Sequence, residues 1–143
     1  MHRIRVLFLC TGNSARSQMA QAFLQKYGAD RFEAFSAGLE PSVIHPLTVQ
    51  VMEEIGVDMS GHYAKGLNEY LGKLHFSYLV TVCSRAEEHC PIFPGMGVRL
   101  HWHFDDPAAF AGTPEEKLAK FRQVRDEIDA AVREWVKAVP GDS

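Results

Sequence analysis

A short stretch near the start of the chain combines a thiol, an arginine and several hydroxyl groups. It occupies residues 10–17 and reads Cys-Thr-Gly-Asn-Ser-Ala-Arg-Ser. If this stretch joins a strand to a helix, its successive N–H groups can converge on one point, and the arginine adds a two-pronged donor. Such a loop would bind a tetrahedral oxyanion above the Cys10 sulfur. The residues expected around that anion are Thr11, Gly12, Asn13, Ser14, Ala15, Arg16 and Ser17.

The same surroundings are expected to act on the sulfur. A cysteine at a helix N-terminus beside an arginine has its pKa lowered from about 8.5 into roughly the 3.5–7.5 range. We therefore predict that Cys10 is a thiolate nucleophile at neutral pH, with Ser17 Oγ donating a hydrogen bond to it. Asn13 is predicted to take a left-handed backbone conformation that shapes the loop. A buried structural cysteine would be the simpler interpretation if Cys10 stood alone.

The chain on either side supplies the elements that such a loop needs. Residues 4–9 form a nearly unbroken apolar run of buried-strand length, and residues 18–27 repeat apolar side chains at helical spacing. Gly28 stands where a helix C-cap glycine is expected. Further strands are predicted at residues 32–37, 78–82 and 98–102, and further helices at residues 46–55 and after Thr113, the expected N-cap of the last helix.

Strands and helices alternate along the chain, which predicts an α/β fold. We expect residues 1–143 to form a single domain of three layers, a four-stranded parallel sheet with helices on both faces. In such sheets ligands bind beyond the carboxyl ends of the strands. Cys10, Cys83 and the turn at residues 105–107 each come directly after a predicted strand. The sequence therefore places these groups at one edge of the sheet.

The turn at residues 105–107 carries two carboxyl groups and a proline. Asp106, directly before Pro107, is the predicted general acid of the site, and Asp105 is the alternative. An Asp-Pro pair is also a common turn sequence, so this assignment depends on the position of the pair after a strand.

Composition limits the classes of partner and compartment. The chain has 143 residues, 46% hydrophobic content and a net charge of −3, which favours one globular domain and gives no footprint for nucleic acid or an anionic membrane. No apolar run reaches the length of a membrane span. Three cysteines without an export signal do not make a disulfide framework, so we expect a cytoplasmic protein. The spacing of its histidines and cysteines matches no usual zinc pattern, and no metal is predicted.

Two further motifs connect the chain to a known family. The loop at residues 10–17, with an Asp-Pro pair late in the chain, resembles the low-molecular-weight tyrosine phosphatases. The chain also reads T-V-C-S-R-A-E-E-H-C-P at residues 81–91 and H-W-H-F-D-D-P-A at residues 101–108. With these motifs it looks like the thioredoxin-coupled arsenate reductases that are built on the phosphatase fold, and the likeness runs over almost the whole chain.

The resemblance implies a relay of three thiols. Cys10 attacks arsenate held by the loop and Arg16, and water leaves with the help of an acid. Cys83 then attacks the Cys10 sulfur, arsenite departs, and a Cys10–Cys83 disulfide remains. Cys90 attacks Cys83 and carries the disulfide to Cys83–Cys90, which reduced thioredoxin opens. The expected partners are thus thioredoxin and arsenate, with no other cofactor, and we expect a monomer.

A disulfide between Cys83 and Cys90 places a demand on the residues that join them. Residues 84–89 contain good helix formers, and a helix would hold the two Cα atoms about 10 Å apart. A disulfide needs them within about 7 Å. We therefore predict that this segment unwinds on oxidation.

Two other functions remain open from the sequence. The first is a low-molecular-weight protein tyrosine phosphatase, which needs only Cys10, Arg16 and Asp106. Ala108 and Ala109 stand where such phosphatases usually carry tyrosines that hold an aromatic substrate, which favours a small anion. The second is a non-enzymatic sensor of oxyanions or redox state.

The resemblance raises the question of whether the chain binds a potassium ion. Some members of the reductase family bind potassium near the loop through acidic side chains. The corresponding residues here are Gln21 and Lys65. We therefore predict no potassium requirement, with Lys65 supplying the positive charge.

Overall fold

The computed structural model describes residues 3–70, 72–83, 86, 88 and 96–139. Within these ranges the strands are β1 (Ile4–Cys10), β2 (Phe32–Gly38), β3 (Phe76–Thr81) and β4 (Met96–His101). The α-helices with described bounds are α1 (Arg16–Gly28), α2 (Pro46–Glu53) and α3 (Pro114–Ala138). Short 3₁₀ turns lie at Leu67–Glu69 and Pro107–Ala109. The bounds differ from the predicted ones by one or two residues at most ends. No helix in the described ranges is long and apolar enough to cross a bilayer.

All four strands are parallel, in the spatial order β2-β1-β3-β4. The register places Leu7 opposite Phe35 on β2 and opposite Leu79 on β3. The chain therefore moves to one side of β1 and then to the other, and the switch between the two directions lies between β1 and β3. This order confirms the predicted α/β class with a parallel sheet.

The core surrounds β1, because both faces of this strand are covered. Residues 6–9 have no exposed surface. On one face Trp135 of α3 packs against Phe32 and Tyr78, with ring centroids 5.2 and 5.0 Å away. On the other face Tyr70 packs edge-on against Phe35 at 5.3 Å. A strand without a polar face explains why residues 4–9 show no alternation in sequence.

Local sequence signals define the ends of α2 and α3. Thr113 accepts a hydrogen bond from the Glu116 N–H while the Glu116 side chain accepts one from the Thr113 N–H, which is the predicted capping box. Helix α2 begins with proline after His45, as predicted, but ends two residues before the predicted end. The turn that follows brings Gly56 to a φ of 80°, a conformation that glycine adopts without strain.

Gly28 does not cap α1, and this prediction is wrong. Gly28 is the last residue of the helix, and the cap residue Ala29 has right-handed backbone angles. A Cβ atom at Gly28 would lie 2.8 Å from Cδ2 of Phe32. A glycine is thus required because α1 closely approaches Phe32, the first residue of β2. Its φ is not positive, so its backbone conformation does not itself require glycine.

Candidate active site

The carboxyl edge of the sheet collects the predicted chemical groups. Cys10 is the last residue of β1, and Cys83 lies two residues beyond the end of β3. Hydrogen bonds continue past the strands, from Val82 N to Leu9 O at 2.9 Å and from Trp102 N to Thr81 O at 2.8 Å. The parallel register brings Cys10, Cys83 and the carboxyl groups after β4 to one edge.

Carbonyl groups within residues 10–14 accept hydrogen bonds from residues 39–48, which hold the loop in place. The bonds run from Leu39 N to Cys10 O (3.0 Å), Glu40 N to Thr11 O (2.8 Å), Ser42 N to Gly12 O (3.0 Å), His45 N to Ser14 O (3.0 Å) and Thr48 Oγ1 to Ser14 O (3.0 Å). Because N–H and C=O point in opposite directions in a trans peptide, these bonds turn the loop amides inward. The segment at residues 39–48 was not identified from the sequence, since nothing local marks it as a support.

Gly38, the last residue of β2, lets this segment approach the loop. A Cβ atom at Gly38 would lie 2.7 Å from Thr11 O and 2.8 Å from Asn13 N. Both atoms belong to the backbone and have little room to move. Gly38 directly follows the strand predicted at residues 32–37, and in the structure it forms part of the wall behind the loop.

The Cys10 sulfur is surrounded by hydrogen-bond donors from the loop and the start of α1. Ser17 Oγ is 2.8 Å from Sγ, and Asn13 N donates to Sγ at 3.2 Å. The Asn13 side-chain amide donates to Ser17 Oγ at 2.8 Å, which leaves the Ser17 hydroxyl hydrogen for the sulfur. Asn13 has a φ of 52°, which confirms the predicted left-handed conformation. The arrangement supports a negative charge on sulfur.

Burial acts against that charge. Cys10 is 2% exposed, and burial raises the pKa of its thiol above the ordinary value. The Ser17 and Asn13 hydrogen bonds and the Arg16 charge lower the pKa but by less. The predicted lowered pKa is therefore wrong in direction. The physical reason is that the sulfur is fully enclosed. Arg16 is also shared with another group.

That group is Asp106. Arg16 Nη2 lies 3.6 Å from Asp106 Oδ2, and Arg16 Nη1 donates to Phe104 O at 3.2 Å. Asp106 Oδ1 accepts a hydrogen bond from Ala108 N at 3.0 Å. The arginine thus joins the loop to the predicted general acid, which the sequence could suggest only through their shared edge of the sheet.

Asp105 faces a different group. Its Oδ2 accepts a hydrogen bond from Lys120 Nζ at 2.9 Å, and its Oδ1 lies 3.7 Å from His103 Nε2. Lys120 holds the pKa of Asp105 below its ordinary value. Asp105 thus faces a lysine of α3, whereas Asp106 contacts the arginine of the loop, so the geometry favours Asp106 as the general acid.

Cys83 touches the loop. It is 3% exposed, and its Sγ lies 3.4 Å from Thr11 Oγ1, whose residue directly follows Cys10. Ala86 N donates to the same sulfur at 3.4 Å. Cys10 and Cys83 are both free thiols. Cys90 lies outside the described residues, and within the segment predicted to be helical Ala86 and Glu88 are described and are helical.

A buried amide supports the loop from the side of α1. Gln18 has no exposed surface, and its Nε2 donates to Asn13 O at 3.1 Å, Asn13 Oδ1 at 2.8 Å and Tyr63 O at 2.8 Å. The sequence indicated Gln18 only as the start of a helix. Its role depends on Tyr63, which comes from a distant part of the chain.

The residues compared with a potassium site also lie here. Gln21 Oε1 accepts a hydrogen bond from Ser36 Oγ at 2.5 Å, and Lys65 Nζ donates to the same Ser36 oxygen at 3.1 Å. In the described part of the chain no three histidine, cysteine or acidic side chains are grouped as metal ligands.

Comparison with known proteins gives one family and a consistent set of relatives. The sequence model of the family described as low molecular weight phosphotyrosine protein phosphatase matches residues 5–143. The chain is 42% identical over 137 residues to an arsenate reductase of Halalkalibacterium halodurans, covering 96% of this chain and 98% of the relative. It is 40% identical over 132 residues to an arsenate reductase of Bacillus subtilis, covering 92% and 94%.

Solved structures agree with the sequence relatives. An arsenate reductase in a phosphate-binding state superposes with a TM-score of 0.79 at 28% identity, covering 96% of this chain and 99% of that one. A thioredoxin-dependent arsenate reductase of Corynebacterium glutamicum superposes with a TM-score of 0.71 at 30% identity, covering 95% of this chain and 61% of that one.

Proposed function

Since this chain belongs to the low molecular weight phosphotyrosine protein phosphatase family, we propose that it is an arsenate reductase that takes its electrons from reduced thioredoxin. Two relatives that match nearly its full length, from Halalkalibacterium halodurans and Bacillus subtilis, are named arsenate reductases, and one structural neighbour is named as thioredoxin-dependent. The proposal narrows the family's oxyanion chemistry to a redox reaction of a small inorganic anion.

One observation carries the proposal, the second thiol at the loop. Cys83 Sγ lies 3.4 Å from Thr11 Oγ1, beside the residue that bears the nucleophile. A hydrolase of this kind needs one cysteine and one acid. Reduction of arsenate to arsenite consumes two electrons, which two thiols supply when they become a disulfide. A second reduced thiol in contact with the loop has a use in the reductase and none in the hydrolase.

The first step joins sulfur to arsenic. Arsenate binds to the inward-facing amides of the loop and to Arg16. Because burial raises the pKa of Cys10, its thiol passes the proton to a bound arsenate oxygen, and the resulting thiolate attacks arsenic. That oxygen leaves as water after further protonation, for which Asp106 is the donor from this chain. Arg16 contacts Asp106, so the anion-binding group and the proton donor stand on the same side of the loop.

The second step releases arsenite. The Cys83 thiolate attacks the Cys10 sulfur, a Cys10–Cys83 disulfide forms, and the electron pair of the sulfur–arsenic bond passes to arsenic. Arsenic is thereby reduced by two electrons while two thiols are oxidised. Cys90 then attacks Cys83 and frees Cys10, and thioredoxin reduces the Cys83–Cys90 disulfide by the same exchange chemistry.

Removal of the later thiols tests the proposal. Cys83→Ser and Cys90→Ser proteins are compared with wild type in arsenate-dependent oxidation of thioredoxin and in hydrolysis of an aryl phosphate. We expect both variants to lose turnover of thioredoxin and to keep any hydrolysis that the wild type shows. Wild-type-level thioredoxin oxidation in both variants would overturn the relay through Cys83 and Cys90. If the wild type shows no arsenate-dependent oxidation of thioredoxin, hydrolysis of the aryl phosphate would favour the hydrolase with Cys10, Arg16 and Asp106, and its absence would favour a sensor.

We further propose that the enzyme works as a monomer in the reducing cytoplasm, without a metal or organic cofactor. Cys10 and Cys83 are both free thiols, which suits such a compartment. The Lys65 ammonium donates to Ser36 beside Gln21, which supports independence from potassium. Replacing sodium by potassium at constant ionic strength is expected to leave the turnover rate unchanged. A clear rise in the turnover rate with potassium would contradict the proposed independence from potassium.

A further inference from the structure

A lysine is buried next to the loop without a role in the steps above. Lys65 is 8% exposed. Its Nζ donates to Ser36 Oγ at 3.1 Å, Tyr63 O at 3.2 Å and Asn13 Oδ1 at 3.4 Å. All three acceptors are neutral oxygens. Burying an ammonium group against neutral partners is costly, so its position requires a reason beyond the stability of the fold.

Asn13 connects this lysine to the nucleophile. Its Oδ1 accepts hydrogen bonds from both the backbone N of Lys65, at 3.0 Å, and Lys65 Nζ. With its oxygen held by these donors, the amide must present its NH₂ group to Ser17 Oγ, at 2.8 Å. Ser17 in turn lies 2.8 Å from Cys10 Sγ. Lys65, together with Gln18 Nε2 at 2.8 Å from the same oxygen, thus fixes which end of the Asn13 amide faces Ser17.

The same contacts hold the loop backbone. Asn13 is the single described non-glycine residue with a positive φ, and such a conformation persists only where the surrounding contacts impose it. The Asn13 side chain is fixed by Lys65 on one side and by Gln18 on the other. Release of the lysine would therefore loosen the part of the loop whose amide donates to the sulfur.

We propose that Lys65 is a positioning residue for the Cys10 nucleophile, acting through Asn13 and Ser17 and through the charge of its ammonium group. This rests on the proposed function only in taking Cys10 as the nucleophile, and it holds for a reductase or a hydrolase. Burial lowers the pKa of Lys65, and the charges of Glu69 and of an ionised Cys10 oppose this shift. Burial, and after it the Lys65 charge, lower the pKa of His62.

The test measures the sulfur and needs no substrate. The chain has three cysteines, so in a Cys83→Ser/Cys90→Ser background only Cys10 remains. The rate at which iodoacetamide alkylates Cys10, measured as a function of pH, gives the pKa of its thiol. Lys65→Met is expected to raise that pKa by about one unit, the size of effect that a nearby charge has. Lys73→Met is the control, since it removes the same charge from an exposed position.

Chemical rescue separates positioning from a structural role. An open cavity of about 460 Å³ is lined by Lys65 together with His62 and Tyr63, so a small amine can reach the space that a shorter side chain leaves. In Lys65→Ala, methylammonium is expected to restore the lower Cys10 pKa, with no effect on the wild-type background. An unchanged Cys10 pKa in folded Lys65→Met, or a raised pKa in Lys65→Ala that methylammonium does not lower, would overturn the proposal. Absence of arsenate-dependent thioredoxin oxidation in the wild type would instead count against the proposed function and would leave this proposal standing, because the Cys10 pKa is measured without substrate.

Discussion

The guanidinium group of Arg16 reaches from the loop to Asp106, with 3.6 Å between Nη2 and Oδ2, while its Nη1 donates to Phe104 O at 3.2 Å. The arginine that is proposed to hold the anion therefore already has an anionic partner. An anion bound to Arg16 would lie beside Asp106, so the proposed proton donor stands next to the proposed anion-binding group. The two functions of the site are thus physically coupled.

Loss of the Asp106 carboxyl group should slow the arsenate reaction strongly. Asp106→Asn removes the proton donor, and general acid catalysis is worth about 10²–10⁴-fold, so we expect turnover in the thioredoxin assay to fall within that range. Asp105→Asn is the matched control, because Asp105 is occupied by Lys120. Equal losses in the two variants would show that the assignment of the acid to Asp106 is mistaken.

The same Asp106→Asn change should have the opposite effect on the sulfur. Burial raises the pKa of Cys10 and the charge of Arg16 lowers it. Removing the Asp106 charge releases Arg16 to the loop and favours the thiolate, so the pKa of Cys10 falls and its alkylation near neutral pH becomes faster. The measurement is the pH profile of alkylation in the Cys83→Ser/Cys90→Ser background. A slower alkylation than in the parent protein would contradict the coupling.

An added methyl group at Gly38 should disable the loop. The Cβ of Gly38→Ala would lie 2.7 Å from Thr11 O, so the backbone of the loop must shift. Misplacement of about 1 Å can cost about 100-fold in rate, and we expect a loss of this order in thioredoxin turnover. Gly61→Ala is the control, because a Cβ there meets nothing within 4 Å. Full activity of Gly38→Ala would mean that the loop tolerates the shift.

The contact between α2 and α3 should depend on pH through Glu54. Glu54 accepts hydrogen bonds from Arg122 at 2.6 Å and Arg125 at 2.9 Å, and Arg122 is the main cause of its lowered pKa. A lowered carboxyl pKa stabilises the fold above the ordinary pKa and ceases to do so as pH falls through the folded value. Glu54→Gln is therefore expected to lower Tm at pH 7 by about 2–4 °C and to have little effect near pH 3.

Glu53→Gln is the matched control for that experiment, since the Glu53 side chain is exposed on the same helix. It should leave Tm unchanged at both pH values. A Glu54→Gln effect that stays constant from pH 7 to pH 3 would mean that the ion pairs with α3 are not its origin.

Most elements of the fold follow from local patterns in the sequence. The capping box at Thr113 and the apolar run at residues 4–9 act over a few residues, so they are readable without the rest of the chain. The loop that carries the nucleophile is also readable from local sequence, because its residues are consecutive. Even the meeting of Cys83 with the loop could be anticipated, since parallel strands end at a common edge.

Features that depend on distant contacts could not be anticipated in the same way. Gly28 carries the local signal of a cap, but the ring of Phe32 determines its actual use. The carbonyl bonds from residues 39–48 and the link from Lys65 to Asn13 join parts of the chain that no spacing rule connects. The direction of the Cys10 pKa shift was misjudged because it depends on how completely the sulfur is enclosed.

The order of the residues was enough to specify which groups this protein uses: a thiol in an oxyanion loop, an arginine, further thiols and an acid after later strands. Folding in three dimensions specified how strongly each group acts. Burial determines the direction of the Cys10 pKa shift. The contact between Arg16 and Asp106 places the proposed anion-binding group next to the proposed acid, and Lys65 lies within hydrogen-bond distance of Asn13. Electrostatic and packing energies depend on distances through space, which a linear pattern does not contain.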